Sequence, residues 1–288
     1  MGKYFYGNYF KLQSNNQTLA LIPSYSKVKK EYKAYLQVIS NKGSWLIEYP
    51  YSEYKRGKGF EVEIGNNTFT KNGIKLDIES NGIKLNGEIK FGNLKKLKHN
   101  IMGPFKFIPF MQCIHSVHSI RHEVNGILNL NGEEYSFNNS YGYIEGDRGR
   151  SFPSVYSWTQ TLLSSGSIML SVADIPFGLF HFTGIIGFVY TGEKTKIIGT
   201  YNFAKALKIK DREIIVKQGK YRLTVKLIER HEFPLAAPNL GKMERTIKES
   251  AECKAYYKLE YKNEIILEET VNNSSFEYEY TKERERQK

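Results

Sequence analysis

The residues best suited to chemistry crowd into one mid-chain stretch, residues 141–160, which reads YGYIEGDRGRSFPSVYSWTQ. On an extended backbone Tyr141, Tyr143, Glu145 and Asp147 share one face, and Gly142, Ile144, Gly146 and Arg148 share the other. Carboxylates two residues apart on one face lie roughly 7 Å apart at Cα. In a half-apolar setting like charges and desolvation both oppose ionisation, which suits one of the pair to act as a general acid. Glu145 is the first candidate and Asp147 the second. Beyond Pro153 the alternation repeats, with Tyr156, Trp158 and Gln160 on one face and Val155, Ser157 and Thr159 on the other. An inward Tyr-Trp stripe offers π faces to a developing cation. Arg148 and Arg150 are the counterweight. Turned inward, Arg148 would hold a neighbouring carboxylate ionised and spoil a general acid.

Outside this stretch, His115, His118 and His122 are the next candidates. On one helix they could share a face as metal ligands. On a strand, His115 points one way and the other two point the opposite way. No metal and no cofactor is expected. Cys113 and Cys253 have neither metal-type spacing nor a partner framework of further cysteines. A reducing, cytoplasmic setting fits.

Lys and Arg exceed Asp and Glu by 42 − 30 = 12 in 288 residues, which favours anionic partners. The lysines are dispersed and mostly alternate with apolar residues, as on a solvated strand face. A basic run with interleaved aromatics occurs at residues 25–35, where Lys27, Lys29, Lys30 and Lys33 neighbour Tyr25, Tyr32 and Tyr35. It matches no nucleic-acid motif, so nucleic acid is not expected, and single-strand binding stands as a distant alternative. The N-terminal residues lack the apolar core of a signal peptide. The most apolar stretch, residues 168–190, is broken by Asp174, Pro176 and His181, so a transmembrane helix is not expected. A weak peripheral membrane contact stays open, as does the oligomeric state.

The elements that must position these residues read as β throughout. Tyr (21) and Phe (17) are abundant, and aromatics favour strands. Residues 19–22 predict a first strand ending at Pro23; residues 32–39 and 44–49 predict two more. Asn-Gly pairs at Asn72-Gly73, Asn81-Gly82, Asn86-Gly87, Asn125-Gly126 and Asn131-Gly132 predict hairpin turns, because both residues tolerate positive φ. Residues 243–258 are ambiguous: Glu244 and Lys248 would pair on a helix, in a neighbourhood that is otherwise β. Residues 281–288 predict a charged tail. With no long amphipathic helix, the expected fold is all-β, two antiparallel barrels in tandem, divided near residue 140 into domains 1–140 and 141–288. A closed barrel leaves no sheet edge and encloses space for a small apolar ligand.

Several segments, in order, resemble the tocopherol cyclase-like family, especially its bacterial members. They are Tyr6-Gly7-Asn8-Tyr9-Phe10-Lys11; Met102-Gly103-Pro104-Phe105, Pro109-Phe110-Met111, Cys113 and His115; Gly142-Tyr143-Ile144-Glu145, Gly149, Ser151-Phe152-Pro153, Trp158 and Gln160; and Ala237-Pro238, Met243 and Arg245-Thr246-Ile247. The chain departs from the family pattern at Asn8, Gly146, Arg148 and Thr161. The resemblance implies two lipocalin-like barrels. It also implies acid-catalysed closure of a phenol oxygen onto a protonated prenyl double bond, with no metal or redox cofactor. Glu145 and Asp147 would be the acids, and Tyr143, Tyr156, Trp158, Gln160 and His115 would contact the substrate, a prenylated aromatic or related lipid. The alternative is a barrel that binds such a molecule without turning it over.

Overall fold

The computed structural model of the chain describes residues 2–80, 82–108, 111–177, 180–280 and 284–285. Pro109, Phe110, Asn81 and most of the expected tail lie outside the described residues. The described chain is nearly all β, with three short 3-10 turns, and its strands form two large antiparallel sheets. Among the described residues, no helix is long and apolar enough to cross a membrane.

The first sheet contains β1 (Lys3–Gln13), β2 (Thr18–Val28), β3 (Glu31–Ser40), β4 (Gly43–Pro50), β5 (Tyr54–Arg56), β6 (Val62–Ile64), β7 (Asn67–Thr70), β8 (Gly73–Ser80), β9 (Ile83–Phe91), β10 (Cys113–Leu130), β11 (Glu133–Ser136) and β12 (Ser140–Gly149). Its strand order is β4-β3-β2-β1-β12-β10-β9-β8-β7-β6-β5, with β11 paired to β10. The second sheet contains β13 (Tyr156–Leu162), β14 (Ser167–Phe177), β15 (Phe180–Tyr190), β16 (Thr195–Gly199), β17 (Lys205–Lys210), β18 (Glu213–Gln218), β19 (Tyr221–Glu229), β20 (Phe233–Asn239), β21 (Lys242–Tyr261), β22 (Glu264–Tyr278) and β23 (Arg284–Glu285). Its order is β16-β15-β14-β13-β22-β21-β19-β18-β17-β23, with β20 paired to β21.

The chain divides into two compact units. One takes in residues 1–98, 112–152 and 233–246, and the other residues 99–111, 153–232 and 247–288. Residue 140 is therefore not where one sheet gives way to the next. β12 is a central strand of the first sheet, bonded to β1 on one side and β10 on the other. The turn-like Asn138-Asn139-Ser140 only reverses the chain before β12, with Asn139 at positive φ.

Each sheet lays one face on an apolar core. In the first, Phe10, Leu12, Leu19, Leu21, Ile89 and Ile144 belong to one cluster. In the second, Ile168, Leu170, Val172, Ile214, Val225 and Phe276 belong to another. Each such side chain contributes about 1.5–3 kcal/mol by leaving water.

Local signals were strong in type and weaker in position. Pro23 does not end a strand: β2 runs through it, and the β1–β2 ladder lapses between Gly7↔Ser24 and Phe10↔Leu21, where proline has no N–H to give. Asn131-Gly132 is a two-residue hairpin turn with φ of 53° and 87°. Asn86-Gly87 and Asn125-Gly126 lie within β9 and β10 instead. A Cβ on Gly126 would sit 2.1 Å from the Glu88 carbonyl oxygen, so close approach of backbones, not a turn, requires that glycine. Residues 243–258 are strand, within β21.

Candidate functional site

The register of β1, β12 and β10 builds the first cluster. Directly opposite residues on neighbouring strands point to the same side of a sheet. Tyr9 lies opposite Glu145, Lys11 opposite Tyr143, and Gly7 opposite Asp147. On the other flank His115 lies opposite Asp147, and Val117 opposite Glu145. Tyr143, Glu145 and Asp147 thus share a face with Lys11 and His115, while Ile144 and Phe10 face the core. The face that carries these candidate residues is the one turned away from the sheet's own apolar cluster. The core face, by contrast, is filled by aliphatic and aromatic side chains.

Arg148 lies opposite Tyr6 and Ile114, on the face away from Glu145 and Asp147, and it is exposed. The cationic partner of the carboxylates is His115. Its Nδ1 lies 3.0 Å from Asp147 Oδ1, and its Nε2 makes an ion-pair contact of 3.2 Å with Glu145 Oε2. The Tyr143 hydroxyl donates to the same Glu145 oxygen at 2.5 Å, the length of a charge-assisted bond. The Cys113 thiol donates to Asp147 Oδ1 at 3.2 Å. The result is a continuous chain, Tyr143–Glu145–His115–Asp147–Cys113.

Burial opposes the charge on His115, which is only 8% exposed. Glu145 and Asp147 on its two nitrogens outweigh that effect and hold the imidazolium well above the usual histidine range. Burial, then the Glu145 carboxylate, pushes the Tyr143 phenol well up. Burial, then Asp147, does the same to the Cys113 thiol.

The other two histidines point away from His115, as strand alternation predicts. A register shift in β10 between Val117 and Ser119 marks the change of side. His118 packs on Phe60. Burial, then the positive charge of His115, brings its pKa down to about 4. His122 accepts or donates at 2.9 Å to Ser119 Oγ, packs on Phe91, and is brought down to about 3 by burial. Gly142 and Gly146 make room for them. A Cβ on Gly142 would lie 2.5 Å from His122 Nε2, and one on Gly146 would lie 2.5 Å from Asn8 Oδ1 and 3.0 Å from His118 Nε2. Two departures from the family pattern, Asn8 and Gly146, are therefore neighbours across β1 and β12.

Ligand atoms of His115, Glu145 and Asp147 lie within 4.8 Å of one another, a set that could hold a metal ion. As arranged, however, the two carboxylates address different ring nitrogens. The arrangement is that of an imidazole ion-paired on both ring nitrogens.

The second cluster lies in the other unit and is described by itself. Tyr156, Trp158 and Gln160 share one face of β13, while Ser157 and Thr159 face the second core, where Thr159 bonds Tyr257 at 2.5 Å. This stripe too is turned away from its own core, and it is buried. Trp158 lies opposite Glu277 and Gln160 opposite Ser275 on β22; Glu277 in turn lies opposite Glu249 on β21. The Tyr156 hydroxyl donates to Glu277 Oε2. Sequence reading missed Glu249 and Glu277, both buried. Glu277, between Phe276 and Tyr278, carries a signal in its aromatic neighbours; Glu249, between Lys248 and Ser250, carries none. Lys11, fully buried in the first unit, was missed in the same way, although Tyr9-Phe10-Lys11-Leu12 carries that signal plainly.

A cavity of about 330 Å³ in the first unit is lined by Tyr49, Glu53, Gly65, Asn66, Asp77 and Glu79. It contains none of the candidate residues and lacks the apolar wall that a prenyl chain needs.

No protein-family model matches the sequence, and a search of curated proteins finds no similar sequence. Solved structures do share the fold. Kievitone hydratase from Nectria haematococca aligns with a TM-score of 0.56 at 11% identity, over 97% of this chain and 89% of that one. A protein assigned as AttH from Nitrosomonas europaea aligns at 0.55 and 10% identity, over 97% and 93%. CghA, solved with Sch210972, aligns at 0.58 and 8% identity, over 96% and 89%.

Proposed function

We propose that the chain is a tocopherol cyclase-like enzyme that moves a proton onto and off an apolar, isoprenoid-bearing substrate, with each sheet closing as a lipocalin-like barrel. The observation that carries this reading is His115 held between Glu145 and Asp147, with the Tyr143 hydroxyl on Glu145. Shared fold with a hydratase lends it support at the level of reaction type. Ring closure of a prenylated phenol is an isomerisation: one proton is added to the alkene and one is lost from the phenol. A relay that gives a proton and recovers it ends where it began. His115 stores the proton, Glu145 passes it to the double bond, and the carboxylate takes back the phenol proton as the oxygen closes on the tertiary cation. Asp147 holds the imidazole in place, and Tyr143 fixes the Glu145 carboxylate.

The test is incubation of the purified protein with a prenylated quinol and detection of chromanol by mass spectrometry. Chromanol formation that falls about 10²–10⁴-fold in Glu145→Gln is expected for loss of a general acid. Undiminished turnover in that variant would remove Glu145 from the chemistry. Saturable uptake of the quinol without product would leave a binding protein in place of an enzyme.

A further inference from the structure

The most exposed aromatic side chains do not belong to either cluster. Among the described residues, the phenylalanines open to solvent are Phe107 (76%), Phe180 (76%) and Phe203 (84%), all in the second unit. They come from three separate segments: the 3-10 turn Gly103–Phe107, the start of β15, and the residue that follows the 3-10 turn Thr200–Asn202. Those segments converge. The Phe105 ring lies 6.0 Å from Phe182 and 6.2 Å from Tyr201, centroid to centroid. The Tyr201 hydroxyl donates to the Ile101 carbonyl at 2.9 Å, and Tyr201 packs on Gly103. Each exposed phenylalanine sits two residues from one ring of that trio, so a packed aromatic base presents three phenyl rings to water.

Phe203 is the most telling of them. It has φ of 63°, in the left-handed region. That region favours Gly or Asn and disfavours bulky side chains. A phenylalanine held there, almost wholly in solvent, gains nothing from the fold. Residues 101–108, 175–183 and 199–206 contain no Asp or Glu, but they contain Lys106 and Lys205. The one carboxylate that adjoins these segments in sequence, Asp174, is engaged by His181 Nδ1 at 3.2 Å. Lys106 Nζ lies 4.6 Å from the centre of the Phe107 ring.

We propose that Phe107, Phe180 and Phe203, with Lys106 and Lys205, form an anchor that seats the second unit on the surface of an anionic lipid bilayer. Phenyl rings enter the headgroup–acyl boundary while lysines meet phosphate and serine carboxylate. A bilayer fits better than a protein partner on two counts. Three rings of roughly 200 Å² each offer about 600 Å², short of the roughly 800 Å² per partner of a stable protein interface. Separate segments also present single rings, and a fluid surface needs no matching shape. The protein's net charge of +12 adds attraction at a distance.

Flotation with vesicles tests this. Wild-type protein is expected to float with vesicles of equal parts phosphatidylserine and phosphatidylcholine, weakly with phosphatidylcholine alone, and less as salt rises. The variant F107S/F180S/F203S should lose about a thousandfold in partition, since burial of each of the three rings is worth about a tenfold factor. K106E/K205E should lose about tenfold or more on the anionic vesicles alone. F203N suits the left-handed backbone, so it folds without strain, and by itself it should cost about tenfold. The proposal is overturned if wild-type protein floats with neither vesicle, or if the triple phenylalanine variant, its thermal melt unchanged, floats as well as wild type. It is also overturned if the patch instead drives self-association, read as a concentration-dependent shift in sedimentation that the triple variant loses.

Discussion

The two sheets carry their polar residues in the same place and use them differently. In both, the buried polar stripe lies on the face turned away from the sheet's own apolar cluster. In the first, Glu145 and Asp147 alternate along one strand, and a neighbouring strand sets His115 between them. In the second, Glu249 and Glu277 lie opposite each other on adjacent strands, and a phenol, Tyr156, bonds one of them. An imidazole between two carboxylates has a proton to move. Tyr156, Trp158 and Gln160 instead flank a carboxylate whose bonding partner is a neutral phenol. The difference teaches that a strand's alternation identifies a stripe, but the neighbouring strand decides what the stripe can do.

The sharpest way to break this contrast is His115→Leu. It leaves Glu145 and Asp147 without the cation between them, and loss of one partner of a buried pair costs about 3–5 kcal/mol. Urea denaturation should show a loss of that size, and a change near zero would mean that the first stripe does not depend on charge. Tyr156→Phe in the second stripe removes a neutral donor and should cost less, about 1–3 kcal/mol.

The glycines beneath the first stripe give an intermediate effect. Gly146→Ala drives a Cβ against Asn8 Oδ1 and His118 Nε2, an overpacking cost of about 1–3 kcal/mol. Asn8→Ala should relieve part of it, so a double-mutant cycle in thermal unfolding should show coupling of about 0.5 kcal/mol or more. Strict additivity would separate the two positions.

Stability against pH distinguishes the histidines. His115 has a folded pKa above its unfolded value, so its contribution is fully present below about pH 6.5 and is lost as pH rises through the folded value. His118 and His122 have folded values of about 4 and about 3, so each withdraws stability as pH falls from about 6.5 toward those values, where the unfolded chain binds the proton that the native chain refuses. Each of these slopes approaches about 1.4 kcal/mol per pH unit. His122→Phe should reduce the slope on the acid side only, whereas His115→Gln should flatten the alkaline side and, by removing the charge that helps depress His118, ease the acid side as well.

How much of this was legible in the sequence depends on distance along the chain. Strand type, the alternation of Tyr143, Glu145 and Asp147, and the opposed directions of His115 and His118 all follow from period-two geometry. That geometry also set Arg148 on the face opposite Glu145 and Asp147. Which face meets the core did not follow. Tyr156 and Trp158 look more apolar than Ser157 and Thr159, yet it is Ser157 and Thr159 that face the aliphatic core, with their hydroxyls spent on Glu277 and Ser275 carbonyls. The role of His115 needed a contact across 30 or more residues, which no local pattern carries. The division of the chain was misplaced for a similar reason. β12 is recruited by pairing with β1, far away in sequence, and the turn signal before it has no power to say which sheet a strand will join.

The protonation of His115 tests the central claim most directly. Nitrogen-resolved NMR of the histidine side chains, followed from pH 5 to 9, reads the state of each ring. A charged ring with both nitrogens protonated through neutral pH, and its signals shifted in Glu145→Gln, is the predicted result. A neutral His115 at pH 7, with one ring nitrogen bare, would contradict the relay.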